Sequence, residues 1–176
     1  MEINFAMVRE ELVIRLATIA DLPFIVDIYN QAIRTKSATG HTEEFCANDR
    51  VAWFENFSPN EYPIYVAEIK NKVVGYCTIS PYRKGRKAMS SVAEISYFLD
   101  YSCHGKGIGS AILTYVIADC ERIKKENLLA ILIDLNTKSL GILKKFNFVK
   151  WGQFPDIINM NGKRCGHLIY GLKINN

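Results

Sequence analysis

The sequence predicts a mixed α/β fold of the α+β kind, a hairpin-rich sheet carrying helices, and three observations lead there. Two β-branched and aromatic runs, Ile64-Tyr-Val-Ala-Glu-Ile69 and Val73-Val-Gly-Tyr-Cys-Thr-Ile79, flank a short Lys70-Asn-Lys72 link and read as antiparallel neighbours. Apolar residues at helical spacing recur on both sides of that hairpin. Leu128-Leu-Ala-Ile-Leu-Ile133 is apolar at every position, as a strand is when helices cover both faces of its sheet.

The elements follow in order. Leu12-Val-Ile-Arg-Leu16 reads as a strand; Thr18 then caps a helix whose stripe is Leu22, Ile25, Val26, Tyr29 and Ile33, with Pro23 tolerated in its first turns. A second helix begins near Asn48-Asp49, carries Val51, Phe54 and Phe57, and stops before Ser58-Pro-Asn60. After the hairpin and a basic loop, Arg83-Lys-Gly-Arg-Lys87, a strand spans Val92 to Leu99 and ends at Asp100. A helix is expected over 107–125 with Ile108, Ile112, Tyr115, Val116, Cys120 and Ile123 inward. Then come the strand at 128–133, a helix over 136–146, and strands near 148–154 and 164–172. The order β-α-α-β-β-β-α-β-α-β-β does not repeat the βαβαβ of a dinucleotide-binding fold.

With 176 residues, 49% apolar and 23% charged, the chain is expected to form one domain over 1–176 with its core over about 12–172. No apolar run reaches the roughly 18 residues of a membrane span, and no secretory leader is recognisable, so a cytoplasmic protein without membrane partners is expected. Five scattered cysteines, with no C-x-x-C pair, indicate reduced thiols, and three isolated histidines give no metal-ligand spacing. No metal is expected. The net charge of +4, without a zinc-finger or RNA-recognition motif, argues against nucleic acid as a partner.

The strongest local signal is His104-Gly-Lys-Gly-Ile-Gly-Ser110, between a strand end and a helix start. Glycines at 105, 107 and 109 let successive N–H groups face one anion, and the helix N-terminus adds partial positive charge, which suits a pyrophosphate. The same string also fits a tight strand-to-helix turn. It has neither the G-x-x-x-x-G-K-[ST] nor the G-x-G-x-x-G register.

The string resembles the [RQ]-x-x-G-x-[GA] loop with which the GNAT N-acetyltransferase superfamily holds acetyl-CoA, with His104, Gly107 and Gly109 at its defined positions. Ile28-Tyr-Asn30, Asp49-Arg-Val-Ala-Trp-Phe54, Tyr62-Pro63, Val73-Val-Gly-Tyr76, and Asn136 and Ser139 with Phe148 look like the phosphinothricin acetyltransferase branch, from Ile14 to Leu172. The resemblance implies a GNAT-like central mixed, mostly antiparallel sheet flanked by about four helices. It also implies acetyl-CoA as co-substrate, held by Gly105, Lys106, Gly107, Ile108, Gly109 and Ser110, by the backbone of Tyr97, Phe98 and Leu99, and by Asn136 and Lys145. Glu94, eleven residues before Gly105, matches the branch's general base for deprotonating an amine of pKa near 10. As residues alone, Glu94 also fits a solvent-facing strand position and Lys145 a solvated helix position.

Three departures bear on chemistry. Leu143 stands where many members carry a Tyr that protonates the leaving thiolate, and Asn147 replaces a Gly that Asn can mimic in the left-handed region. Ala88-Met-Ser90 replaces the branch's Ala-Tyr-Arg before the Glu, so Arg83 and Arg86 become the candidates for an acidic group on the acceptor. The partner expected is a small-molecule primary amine, an amino acid or a phosphinothricin- or methionine-sulfoximine-like analogue, acetylated by direct transfer; the expected assembly is a homodimer. A non-catalytic acetyl-CoA sensor and a Cys103-dependent acyltransferase stand as the alternatives.

Overall fold

The computed structural model describes residues 11–174. Seven strands, β1 (Leu12–Leu16), β2 (Ile64–Ile69), β3 (Lys72–Pro81), β4 (Val92–Leu99), β5 (Asn127–Ile133), β6 (Val149–Met160) and β7 (Lys163–Lys173), form one sheet of order β1-β2-β3-β4-β5-β7-β6. The α-helices are α1 (Leu22–Arg34), α2 (Val51–Glu55), α3 (Ile108–Asp119) and α4 (Thr137–Lys145). The expected element order is the observed one.

The β2–β3 hairpin turns on Lys70 and Asn71, both at positive φ (50° and 61°), the two-residue turn whose twist matches that of the strands. At the entrance to α1 the Thr18 N–H donates to Asp21 Oδ2 (2.8 Å). Arg15 bridges Asp21 to Glu68 of β2, and the guanidinium holds the Asp21 carboxyl below the usual carboxylate range.

Alternation along β4 divides the core. Ala93 and Ile95 face the larger cluster with Ile112, Val116 and Leu143, and Tyr97 and Leu99 pack against it. Phe98 packs on the opposite face with Ile28, Tyr76 and Trp53. Glu94 shares the parity of Phe98 and therefore projects toward the α1 and α2 side.

Every strand pair is antiparallel except β4–β5, and that parallel seam is short: Val92, Ala93 and Glu94 pair with Asn127, Leu128 and Leu129. Beyond Glu94 the two strands part. One edge of residues 95–99 is left without a strand neighbour, and this opens the sheet.

Three expectations are corrected. The helix expected over 107–125 ends at Asp119: the Cys120 N–H bonds the Ile117 carbonyl, the Lys125 N–H closes onto the Cys120 carbonyl, and Lys124 takes φ 55°. Cys120 and Ile123 are nevertheless buried, because the turn lies against the same core, whereas Tyr115 is 41% exposed and Leu113 fills the inward position instead. β6 runs past Phe154 to Met160, with irregular pairing to β7 between Phe154 and Ile158 and Asp156 at φ 53°. No helix among the described residues is long and apolar enough to cross a membrane.

Candidate active site

Where β4 and β5 diverge, a groove of about 720 Å³ opens between Tyr97, Phe98 and Leu99 on one wall and Asn136, Ser139 and Ile142 on the other, with His104 and Gly105 at one end. A chain of polar groups laid in it can pair with the free edge of β4 as an added strand would.

The glycine loop divides its labour. Gly105 and Gly107 both sit at φ 77°, where a side chain is strained, and Gly107 is the left-handed N-cap of α3. The amides of residues 105–110 have no hydrogen-bond acceptor among the described residues, so six N–H groups are available at a helix N-terminus. Gly109 corrects the expectation that all three glycines turn the backbone. It lies inside the first turn of α3, where a Cβ would stand 3.2 Å from Ile142 Cδ1 and 3.4 Å from Leu99 Cδ1, so its role is close packing.

The remaining expected contacts gather round this loop in different ways. Ile108 is buried and offers only its backbone N–H outward. Lys106 turns its amine back to the Ser102 carbonyl (2.9 Å). Ser110 meets Lys145 across the helix pair, Nζ to Oγ 3.4 Å, which puts the ammonium beside the loop. Asn136 caps α4 by accepting from the Ser139 N–H (3.2 Å), leaving its side-chain amide nitrogen for the groove. The donor set fits a pyrophosphate followed by an amide-bearing arm.

His104 faces the Leu99 carbonyl through Nε2 (3.3 Å) and stacks on Tyr101. Cys103 Sγ lies 3.6 Å from Ser102 Oγ, and no hydrogen bond joins it to His104 among the described residues. No group of three or more His, Cys, Asp and Glu side chains that could hold a metal ion occurs among the described residues.

Glu94 is half-buried, opposite Ser80 in β3 and Leu129 in β5, at the last paired position before the sheet opens. Desolvation pushes its carboxyl above the ordinary Glu range, and no described cation or hydrogen-bond donor counteracts that. A carboxylate raised in this way is a stronger proton acceptor than an ordinary Glu.

A second cleft of about 600 Å³ is lined by Trp53 and Phe57, which pack edge to face at 5.0 Å, and by Ser80, the β3 residue opposite Glu94. Arg83, Lys84, Arg86 and Lys87 rim it, and none of the four is ion-paired among the described residues. Arg83 and Arg86 thus line this second cleft and not the groove, and Glu94 lines neither of them directly.

Two features escaped the sequence reading. Lys125 is 3% exposed, stacks its amine 4.0 Å from the Tyr62 ring and donates to the Ser90 carbonyl (2.9 Å), so it fixes the end of the basic loop. Burial lowers its pKa. Tyr97 reaches across the groove to Ser139, hydroxyl to hydroxyl 2.7 Å. Neither pair has a local sequence signal, since the partners are 35 and 42 residues apart.

Comparison with known proteins adds to this geometry. Residues 25–148 match the model of the acetyltransferase (GNAT) family. The chain is 36% identical over 162 residues, covering 92% of it and 95% of the relative, to YwnH of Bacillus subtilis strain 168, whose name carries a provisional assignment as a phosphinothricin acetyltransferase. It is 31% identical over 148 residues, covering 82% and 84%, to the L-methionine sulfoximine/L-methionine sulfone acetyltransferase of Pseudomonas aeruginosa PAO1. Among solved structures, yncA of Salmonella typhimurium, provisionally named an acetyltransferase and solved with its cofactor acetyl-CoA, matches with TM-score 0.87 at 25% identity, covering 94% of this chain and 95% of that one.

Proposed function

This chain belongs to the GNAT acetyltransferase family and is an acetyl-CoA-dependent N-acetyltransferase resembling the phosphinothricin and methionine sulfoximine acetyltransferases; from that premise we propose a direct transfer to a small amino acid or analogue, with Glu94 as general base. The observation that carries the proposal is that the half-buried Glu94 carboxyl stands where β4 and β5 part, three residues before the groove-lining Tyr97 and opposite Ser80 on the wall of the second cleft. Acetyl-CoA supplies the activated acetyl thioester. The amides of 105–110 hold its pyrophosphate, Lys145 and Asn136 flank it, and the free edge of β4 at Tyr97, Phe98 and Leu99 aligns its arm.

The acceptor occupies the second cleft, its carboxylate toward Arg83 and Arg86 and its apolar part on Trp53 and Phe57. An alkylammonium with pKa near 10 is mostly protonated at neutral pH, so nucleophilic attack waits on proton removal. Glu94 receives that proton, directly or through one water. The five cysteines are free thiols, which supports a reducing compartment such as the cytoplasm.

The test is release of free CoA from acetyl-CoA against a panel of primary amines. Amino acids with uncharged side chains are expected to be acetylated best, because Met89 and Ser90 leave no second cation at the branch's Arg position. Phosphinothricin is expected to be poor. Its second anion lacks a charge-assisted bond worth about 1.5–3 kcal/mol, roughly 10- to 150-fold in kcat/KM. Ser90→Arg should recover efficiency for phosphinothricin selectively and leave the acetyl-CoA KM unchanged, since Lys125 holds the backbone carbonyl of residue 90 rather than its side chain. Phosphinothricin ranking first with the unmodified protein would assign its second acid to Arg83 or Arg86 instead.

A further inference from the structure

We propose that the Tyr97 hydroxyl, held by Ser139 across the groove, stabilises the departing sulfur of CoA, replacing the acid that Leu143 cannot supply. The inference rests on the acetyl-CoA reading of the groove. Leu143, the residue that stands at the usual acid's position, is fully buried in the main core, so that position contributes no polar group to the site. Tyr97 lies on the other wall, on the strand whose free edge aligns the arm, and its hydroxyl meets that of Ser139, another residue lining the groove.

The Tyr97–Ser139 contact suits a donor. Each hydroxyl can give one hydrogen bond while accepting another, so at 2.7 Å Ser139 can donate to Tyr97 Oη; the phenolic proton, whose other acceptor is the Ser139 carbonyl at a long 3.5 Å, can then turn to the sulfur. Ser139 lies in the first turn of α4, whose N-terminal partial charge favours developing negative charge nearby. Tyr97 also packs against the main core, and Cys77 lies directly opposite it on β3, so the ring is fixed in place.

The step balances without a proton leaving Tyr97. Once Glu94 has taken the ammonium's first proton and passed it to solvent, the neutral amine's lone pair forms the C–N bond, the second nitrogen proton leaves by the same route, and the C–S bond breaks with its electron pair on sulfur. Tyr97 donates a hydrogen bond to that thiolate and keeps its own proton. Full transfer is disfavoured, since burial pushes the Tyr97 phenol up to about 12, well above a thiol near 8.5.

The distinguishing measurement is the pKa of the CoA thiol bound to the enzyme, read by ultraviolet absorbance of the thiolate as pH is raised. In the unmodified protein it should lie below the free value. Tyr97→Phe should raise it by about one unit or more, and should lower kcat roughly 10-fold or more while leaving the KM for acetyl-CoA nearly unchanged. The other titratable groups lining the groove, Tyr101, His104 and Lys138, are common to both proteins and cancel in the difference. A merely structural contact would lower the melting temperature and leave the thiol pKa where it was, and that result overturns the proposal.

The unmodified protein carries its own check. The affinity ratio of CoA to desulfo-CoA should rise as pH passes through the thiol pKa, and a flat ratio also overturns the assignment. Failure of the unmodified protein to bind either compound would instead overturn the acetyl-CoA reading together with this one.

Discussion

If Glu94 is the general base we propose, Glu94→Gln is expected to lower turnover by roughly 10²- to 10⁴-fold while leaving acetyl-CoA binding intact, because it removes the proton acceptor and keeps the shape of the side chain. The sign of the pH dependence follows from burial. The carboxyl is raised by desolvation, and only its ionised form accepts a proton, so kcat/KM of the unmodified enzyme should climb as pH passes through that raised pKa. The variant should lack this limb. Its deficit should narrow toward the amine's own pKa near 10, where the acceptor is already neutral. Equal turnover of the two proteins at pH 7 with a good acceptor would remove Glu94 from the mechanism.

The same substitution should stabilise the fold. A carboxyl whose folded pKa exceeds the unfolded value near 4.3 holds its proton more tightly when folded, so its contribution is full below the unfolded pKa and lost as pH rises through the folded one. Neutral Gln escapes that loss. Glu94→Gln should therefore melt higher than the unmodified protein at pH 7, with the difference closing below about pH 4. A carboxyl kept half-buried without a counter-charge costs stability, and the melting curves measure that cost.

Gly107→Asp is expected to abolish measurable acetyl-CoA binding by calorimetry. Gly107 caps α3 at φ 77°, where an L-residue costs about 1–2 kcal/mol, and its own amide is one of the six N–H groups without an acceptor among the described residues. A carboxylate there would occupy the anion site and set a negative charge against the pyrophosphate at the positive end of the helix. Gly107→Ala separates the two effects: it carries the strain without the charge and should bind more weakly than the unmodified protein but more tightly than Gly107→Asp. Unchanged affinity in Gly107→Asp would reduce the loop to a turn.

Gly109 shows how one motif conceals two physical roles. In the sequence the three glycines look alike; in the structure two supply left-handed backbone and the third lets α3 approach Ile142 and Leu99. The backbone role could be read from a glycine-rich link between strand and helix. The packing role depends on α4, which begins nearly thirty residues later.

β6 and the end of α3 were misjudged for reasons of the same kind. β6 is an edge strand with most of its residues exposed on both faces, so it carries no period-two pattern to mark its extent beyond Phe154. α3 stops at Asp119 although Cys120 and Ile123 continue the apolar spacing, because the following turn packs on the same core and delivers Lys125 to the Ser90 carbonyl. Periodicity reports which residues are buried. It does not report whether the backbone between them is still helical.

By itself the sequence determined the order of the elements, the hairpin and the glycine-rich turn that leads β4 into α3, since each rests on residues close together in the chain. The tertiary structure decided what lies across space. It parted β4 from β5 just beyond Glu94, set Arg83 and Arg86 in a separate cleft, brought Lys145 to Ser110, and joined Tyr97 to Ser139. The physical reason is that spacing along the chain encodes local conformation and burial, whereas the meeting of side chains from different elements is fixed only when the sheet and its helices pack.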